Sequence, residues 1–123
     1  MRPRQILVVD DEPLVRETVT MCLESEGHLV TRAGSGQQAL ALFQPGKFDL
    51  VFTDFFMPSM TGEQLAVAIK LQSPTQPVVM LTAYAEKLQA RKGPPTVVDL
   101  FIAKPFEIES LRDAITTLAP AEA

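Results

Sequence analysis

Five short segments, most of them apolar, alternate along the chain with longer amphipathic segments. Short apolar runs bounded by turn residues are typical of buried β-strands, and strands that alternate with helical patterns indicate a parallel sheet. The runs at residues 6–9 and 78–81 lack polar alternation, as expected of strands that helices cover on both faces. The sequence therefore predicts an α/β fold with a doubly wound, five-stranded parallel sheet. The strands are expected at residues 5–9, 29–33, 49–53, 78–81 and 99–103.

The amphipathic segments predict five helices. In the first, Pro13 suits the opening helical turn, Val15 and Val19 lie on one apolar face, and Gly27 ends the helix. The Gly-Pro-Pro sequence at residues 93–95 shortens the fourth helix, because proline removes a main-chain donor and clashes with the preceding turn. The helices are expected at residues 13–26, 36–43, 63–72, 85–92 and 107–118.

Length and composition indicate one globular domain, residues 1–123, whose residues from about 119 onward form a tail. The net charge of -4 argues against nucleic acid as a direct partner, because proteins that bind phosphate backbones usually carry a basic face. No apolar run approaches the roughly 20 residues that span a bilayer, and no signal peptide is visible. The single cysteine, Cys22, cannot form an internal disulfide, which suits a reducing compartment. We expect a cytoplasmic protein without a membrane partner.

Polar residues directly follow four of the five predicted strands. Parallel strands meet at one edge of the sheet, and in open α/β sheets the ligand crevice lies outside their carboxyl ends. The sequence therefore predicts that three carboxylates, a hydroxyl and an ammonium converge at this edge. These residues are Asp10, Asp11, Asp54, Thr82 and Lys104.

Clustered carboxylates repel one another unless a cation lies among them, and hard oxygen ligands suit magnesium. Lys104 can act as a point charge on phosphoryl oxygens, Thr82 can donate a hydrogen bond, and one carboxylate can attack as a nucleophile to form an aspartyl phosphate. Taken singly, an acidic residue or a threonine here is as well explained by helix capping, and a lysine by surface exposure. Their joint placement favours a magnesium and phosphate site.

Four segments carry a resemblance to a known family: residues 6–13 (Ile-Leu-Val-Val-Asp-Asp-Glu-Pro), 53–62 (Thr-Asp-Phe-Phe-Met-Pro-Ser-Met-Thr-Gly), 81–83 (Leu-Thr-Ala) and 103–106 (Ala-Lys-Pro-Phe). Their order and separations resemble those of the response-regulator receiver domain, the CheY-like family of two-component signalling. The resemblance covers essentially the whole chain. It implies a flavodoxin-like sheet with strand order 2-1-3-4-5.

The resemblance assigns the phosphoacceptor and the metal ligands. Asp54 is the expected phosphoacceptor. Asp11 and Asp54 are expected to bind magnesium directly, together with the backbone carbonyl of Phe56, while Asp10 acts largely through water.

The resemblance also assigns a switch. Thr82 is expected to capture a phosphoryl oxygen after transfer, and Lys104 to pair with the phosphoryl group. Phe101 matches the aromatic residue that turns inward when the threonine moves, although it is also readily explained as a core residue. The peptide bond before Pro105 is expected to be cis.

The expected partners are a histidine kinase or histidine phosphotransferase as phosphodonor, and a downstream protein or covalently linked output domain. Such a domain catalyses only its own modification, so we do not expect an enzyme.

A second stripe on the first helix consists of Leu14, Thr18 and Met21. This stripe either docks a helical partner or is ordinary surface.

Two other functions stay open. A magnesium-dependent phosphohydrolase would need a substrate pocket or cap, and a constitutive interaction module would not use phosphate.

Two aromatic residues flank the expected route of an attacking water. Phe56 is two residues after the phosphoacceptor and Tyr84 is two residues after Thr82. In the resembling family, polar residues at these positions can orient the water, so two aromatics predict slow self-dephosphorylation. In the resembling family, the fourth helix, fifth strand and fifth helix form the usual output face. The Gly-Pro-Pro sequence at residues 93–95 alters this face and predicts an unusual partner surface or a more mobile fourth helix.

Overall fold

Five parallel strands form one sheet in the order β2-β1-β3-β4-β5. The computed structural model describes residues 3–83 and 97–119. This order, with helices on both faces, confirms the predicted doubly wound α/β fold. The strands are β1 (Gln5–Val9), β2 (Leu29–Ala33), β3 (Leu50–Asp54), β4 (Val78–Thr82) and β5 (Leu100–Ala103).

Four helices lie within the described ranges: α1 (Pro13–Ser25), α2 (Gly36–Leu42), α3 (Gly62–Gln72) and α4 (Ile108–Leu118). The helix predicted at residues 85–92 and the Gly-Pro-Pro sequence at 93–95 lie outside the described residues. None of the four described helices combines the length and the apolarity that crossing a bilayer requires.

The third and fourth strands extend one residue further than predicted. Asp54 pairs with Leu81 across β3 and β4, and Thr82 pairs with Ala103 across β4 and β5. These polar residues therefore belong to the ladder itself, because a polar side chain does not stop main-chain pairing. Their main chains are held by the sheet on which the site is built.

Alternate strand residues enter two separate apolar cores. Leu7, Val51 and Met80 face the core that α2 and α3 complete, whereas Val8 and Phe52 face the core that α1 and α4 complete. The whole of β3 and β4 is buried. Since strand residues alternate between faces, this double burial explains the continuous apolar runs in the sequence.

Side-chain caps fix the starts of two helices. Ser35 caps the N-terminus of α2, because its side-chain oxygen accepts a hydrogen bond from the backbone N–H of Gln38. At the start of α3, Thr61 and Gln64 form a reciprocal capping box. Gly27, with φ of 90°, follows α1 in the left-handed conformation that favours glycine.

Two buried basic residues lie at the edge of the sheet where the strands begin. The Arg4 Nε–H donates to the carbonyl oxygen of Ala119 at 2.7 Å, which ties the start of β1 to the end of α4. The backbone N–H of Arg4 donates to Nδ1 of His28 at 3.0 Å. His28 therefore accepts a hydrogen bond that only an unprotonated Nδ1 can accept.

Acidification is expected to destabilise the domain through His28. Burial lowers the pKa of His28 below its ordinary value of 6.5, and the nearby charge of Arg4 lowers it further. The unfolded chain then binds the proton more readily than the native state, so this part of the stability is lost as pH falls through 6.5 toward the native pKa.

The measurement is the free energy of unfolding in urea at about pH 7.5 and about pH 5, spanning the histidine titration range, for wild type and His28→Gln. Wild type should lose more stability than the variant over this interval. An equal loss in both proteins would assign the acid sensitivity to other groups.

Candidate functional site

Three carboxylates converge at the carboxyl edge of the sheet. Asp54 is the last residue of β3, and Asp10 and Asp11 follow β1 directly. One carboxylate oxygen from each residue lies within 4.8 Å of the other two. Asp10 is 2% exposed and Asp54 is 7% exposed, whereas Asp11 is half-buried. The structure thus brings together the three acidic residues that the sequence singled out.

Lys104 lies among these carboxylates. Its Nζ is 3.0 Å from Oδ1 of Asp54 and 3.3 Å from Oδ2 of Asp10. The Lys104 backbone N–H donates to the carbonyl of Thr82 at 3.0 Å, which anchors the loop after β5 to the end of β4. The Lys104-Pro105 peptide bond is cis. The ammonium group therefore bridges a carboxylate after β1 and a carboxylate at the end of β3.

The electrostatics of the cluster favour additional positive charge. Burial raises the pKa of Asp54, an effect that Lys104 opposes and the negative charge of Asp10 reinforces. Burial on its own would lower the pKa of Lys104, but its hydrogen bond to Asp54 and the charges of Asp10 and Asp54 outweigh burial and raise that pKa. Lys104 consequently stays protonated, yet one ammonium cannot neutralise three carboxylates.

A cleft of about 340 Å³ opens over Asp54. Phe56, 56% exposed, contributes to its wall, and Thr82 lies buried at its side. The described residues that line the cleft are Glu12, Asp54, Phe56, Thr82, Ala83 and Lys104. Phosphoryl-sized groups thus have access to Asp54, Thr82 and Lys104 from one side. Tyr84 lies outside the described residues.

Phe101 lies on β5 opposite Met80 and is half-buried against the core that α2 and α3 complete. Phe101 therefore lies beside β4, the strand that ends at Thr82. The inward turn of Phe101 remains a prediction.

Two residues contact the main-chain carbonyl oxygens of Asp10 and Asp54. The sequence had assigned neither of them a role in the site. Arg16 Nη1 donates to the carbonyl oxygen of Asp10 at 2.9 Å. A Cβ atom on Gly62 would lie 2.1 Å from the carbonyl oxygen of Asp54, so only glycine permits this approach. The position of Gly62 within a matching segment was a signal of its importance, whereas no local pattern indicated Arg16.

The donor set fits a hard divalent cation. Asp10, Asp11 and Asp54 offer carboxylate oxygens that are close enough to share one ion, and the cluster carries more negative charge than Lys104 offsets. Magnesium prefers such oxygen ligands and takes only a few carboxylates while keeping waters.

The family model described as the response regulator receiver domain matches residues 6–116. The chain is 36% identical over 110 residues to the probable transcriptional regulatory protein TcrX of Mycobacterium tuberculosis, covering 89% of this chain and 47% of that protein. It is 35% identical over 114 residues to the transcriptional regulatory protein GlrR of Escherichia coli, covering 93% of this chain and 26% of that protein. The chain therefore spans less than half the length of these relatives.

Solved structures agree with these sequence relationships. The chemotaxis response regulator CheY4 of Vibrio cholerae superposes with a TM-score of 0.83 at 29% identity, covering 95% of this chain and 99% of that chain. The response regulator TrrA from Thermotoga maritima, solved in complex with Mg(2+)-BeF, gives a TM-score of 0.82 at 32% identity, covering 94% of this chain and 98% of that chain. With the match of the family model over residues 6–116, these findings show that the chain belongs to the response-regulator receiver domain family of two-component systems.

Proposed function

We propose that this domain accepts a phosphoryl group on Asp54 in a magnesium-dependent reaction and switches conformation to control an output domain or a partner protein. The phosphodonor is a histidine kinase or a histidine phosphotransferase. The observation that carries the proposal is the position of Asp54 at the end of β3, with the Lys104 ammonium 3.0 Å from its carboxylate and two further carboxylates beside it.

In the proposed reaction, a carboxylate oxygen of Asp54 attacks the phosphorus of a phosphohistidine. A phosphorus–oxygen bond forms, the phosphorus–nitrogen bond breaks, and its electron pair remains on the imidazole of the donor. Lys104 offsets charge on the phosphoryl oxygens, since its ammonium already lies beside the attacking carboxylate. Only Asp54 is modified, so we propose a self-modifying switch rather than an enzyme that acts on other substrates.

Asp11, Asp54 and the backbone carbonyl of Phe56 are the proposed direct ligands of magnesium, with Asp10 acting through water. When bound, the ion supplies positive charge that offsets the carboxylates and the phosphoryl oxygens.

Thr82 is the proposed sensor of the new phosphoryl group. It ends β4, the strand beside β3, and lines the same cleft as Asp54. After transfer, its hydroxyl donates a hydrogen bond to a phosphoryl oxygen. Movement of Thr82 then changes the space available to Phe101 on the neighbouring strand, which is a local charge event that biases two conformations.

The proposed docking surface for the phosphodonor is the outer stripe of α1. Leu14 is 81% exposed and Met21 is 69% exposed, with the exposed Thr18 between them. Because α1 begins two residues after Asp11, a helical bundle packed on this stripe can present a phosphohistidine to the site. We also propose a cytoplasmic location, without direct contact with nucleic acid or membrane.

The test is the intact mass of the protein after incubation with acetyl phosphate and magnesium. Wild type should gain a single phosphoryl group, and the gain should disappear with a chelator or in Asp54→Asn. Asp113→Asn removes the same charge at an exposed position on α4 and should leave the gain intact. A phosphoryl adduct that persists in Asp54→Asn would assign the acceptor to another residue. No adduct in wild type would favour a constitutive interaction module.

The Phe56→Asn variant is expected to lose its phosphoryl group severalfold faster than wild type. Phe56 lines the cleft above Asp54, where its ring crowds the path of an attacking water. Asparagine is smaller and can hydrogen-bond that water. The decay of the phosphorylated mass after removal of acetyl phosphate measures the rate, with Leu71→Asn on the exposed face of α3 as control. Equal decay in Phe56→Asn and wild type would rule out this role for the ring.

A further inference from the structure

The guanidinium group of Arg16 is directed at the loop that carries Asp10 and Asp11. Arg16 lies near the start of α1, and its Nη1 donates to the carbonyl oxygen of Asp10 at 2.9 Å. The side chain is only 22% exposed, so most of it is packed against the protein. We propose that Arg16 is a positioning residue that holds this loop in the geometry needed to bind magnesium. The inference rests on the proposed function of the site.

The planarity of the peptide bond explains how a hydrogen bond to Asp10 can place Asp11. The carbonyl oxygen of Asp10 and the Cα atom of Asp11 belong to the same rigid peptide plane. On the other side of the residue, the Asp10 backbone N–H donates to the carbonyl of Ala33 at 3.2 Å. With both main-chain groups of Asp10 held, the direction in which the Asp11 side chain leaves the loop is restricted.

The Asp10 side chain is held as well. Its Oδ1 accepts a hydrogen bond from the backbone N–H of Glu12 at 2.9 Å, and its Oδ2 lies 3.3 Å from Nζ of Lys104. Loss of the Arg16 hydrogen bond would therefore free the peptide plane between the two aspartates while the Asp10 carboxylate remains held. The expected loss of order falls mainly on Asp11, a proposed direct ligand.

Gly34 leaves room for this arrangement. A Cβ atom at position 34 would lie 3.2 Å from Nη1 of Arg16 and 3.5 Å from Oε1 of Gln38. Gly34 is not among the glycines with positive φ, so alanine there brings no left-handed strain. The Gly34→Ala substitution therefore moves the guanidinium group by a few tenths of an ångström without changing its charge.

A positioning role and a purely electrostatic role for Arg16 predict opposite changes in magnesium affinity when Arg16 is replaced. Arg16 is a cation close to the acidic cluster, so removing its charge alone would strengthen magnesium binding. Removing a group that orders the ligands would weaken binding instead. The sign of the change in affinity consequently distinguishes the two roles.

The test is a calorimetric titration of the full chain with magnesium chloride. Arg16→Met should bind magnesium about tenfold more weakly than wild type, which is the size of effect seen when groups that orient metal ligands are lost. Arg16→Lys should recover part of the affinity, since an ammonium can still donate to the Asp10 carbonyl. Lys47→Met removes the same charge from an exposed side chain outside the site and should not weaken binding.

Gly34→Ala provides an independent arm that does not alter charge. It should weaken magnesium binding in the wild-type background and add nothing in the Arg16→Met background, because the contact it disturbs is then absent. Thermal unfolding without magnesium checks that each variant folds. If Arg16→Met does not fold, Gly34→Ala and Arg16→Lys decide the question.

The proposal is overturned if Arg16→Met binds magnesium as tightly as wild type or more tightly, or if Gly34→Ala in the wild-type background is without effect. Failure of the proposed function has a different signature. In that case wild type itself shows no magnesium binding, and both ideas fall together.

Discussion

Replacing Lys104 by methionine is expected to slow phosphorylation of Asp54 by about 100-fold, the typical effect of removing one preorganised group that stabilises developing charge. The Lys104 ammonium is 3.0 Å from the Asp54 carboxylate and 3.3 Å from that of Asp10. Methionine keeps an unbranched side chain that is one atom shorter and removes the charge. The transferring phosphoryl group then meets three carboxylates without their ammonium partner.

The same substitution is expected to raise the pKa of Asp54 further, because burial already raises it and Lys104 is the group that opposes burial most. Phosphorylation of Lys104→Met should therefore decline at a higher pH than in wild type when the solution is acidified. The initial rate of phosphoryl gain from acetyl phosphate, followed by mass over a range of pH, measures both effects. Lys47→Met, which changes an exposed lysine over the ring of Phe48, is the matched control. An unchanged rate in Lys104→Met would remove the ammonium from the proposed mechanism.

Replacing Gly62 by alanine is expected to destabilise the domain by about 3 kcal/mol, at the upper end of the usual cost of overpacking a core. The new Cβ would lie 2.1 Å from the carbonyl oxygen of Asp54 and 3.1 Å from the Cα atom of Phe55. Both contacts are with backbone, which cannot rotate away. Either the end of β3 or the start of α3 has to move, and Asp54, the proposed phosphoacceptor, moves with it.

Urea denaturation measures this loss, and the rate of phosphorylation of the folded fraction should fall with it. Gly36→Ala is the matched comparison, since the three atoms nearest its Cβ would be side-chain atoms of Met60: Sδ at 2.6 Å, Cγ at 2.9 Å and Cβ at 3.0 Å. A change of rotamer moves Sδ and Cγ away, whereas no rotamer moves backbone, so Gly36→Ala should cost less than Gly62→Ala. An equal loss of unfolding free energy in the two alanine variants would show that the backbone contact at Gly62 costs no more than the side-chain contact at Gly36.

The edge of the sheet where the site lies was predictable because parallel strands share one carboxyl edge. Asp10, Asp54 and Lys104 each stand at the end of an apolar run, and that placement alone predicted their convergence. The ends of β3 and β4 were predicted one residue short, because apolar patterning stops at Asp54 and Thr82 while main-chain pairing continues through them.

The supporting residues could not be predicted in the same way. Arg16 bonds to a main-chain carbonyl, and such a contact depends on the path of the loop rather than on the identity of Asp10. Arg4 and His28 look like surface residues in the sequence, yet both are buried. Their hydrogen bonds join positions 115 and 24 residues apart, so only the folded chain reveals them.

The bond between Arg4 and Ala119 has a consequence for protein engineering. It brings two positions that bracket nearly the whole domain into contact at the sheet edge opposite Asp54. Domains whose two ends lie close together tolerate insertion into a loop of a host protein. The reason is that the two host residues that flank the insert can stay at their normal separation. Such a graft would place Asp54, the proposed acceptor, on the side facing away from the host, where the proposed phosphodonor can reach it. With the proposed function, the domain would serve as a phosphate-controlled insert.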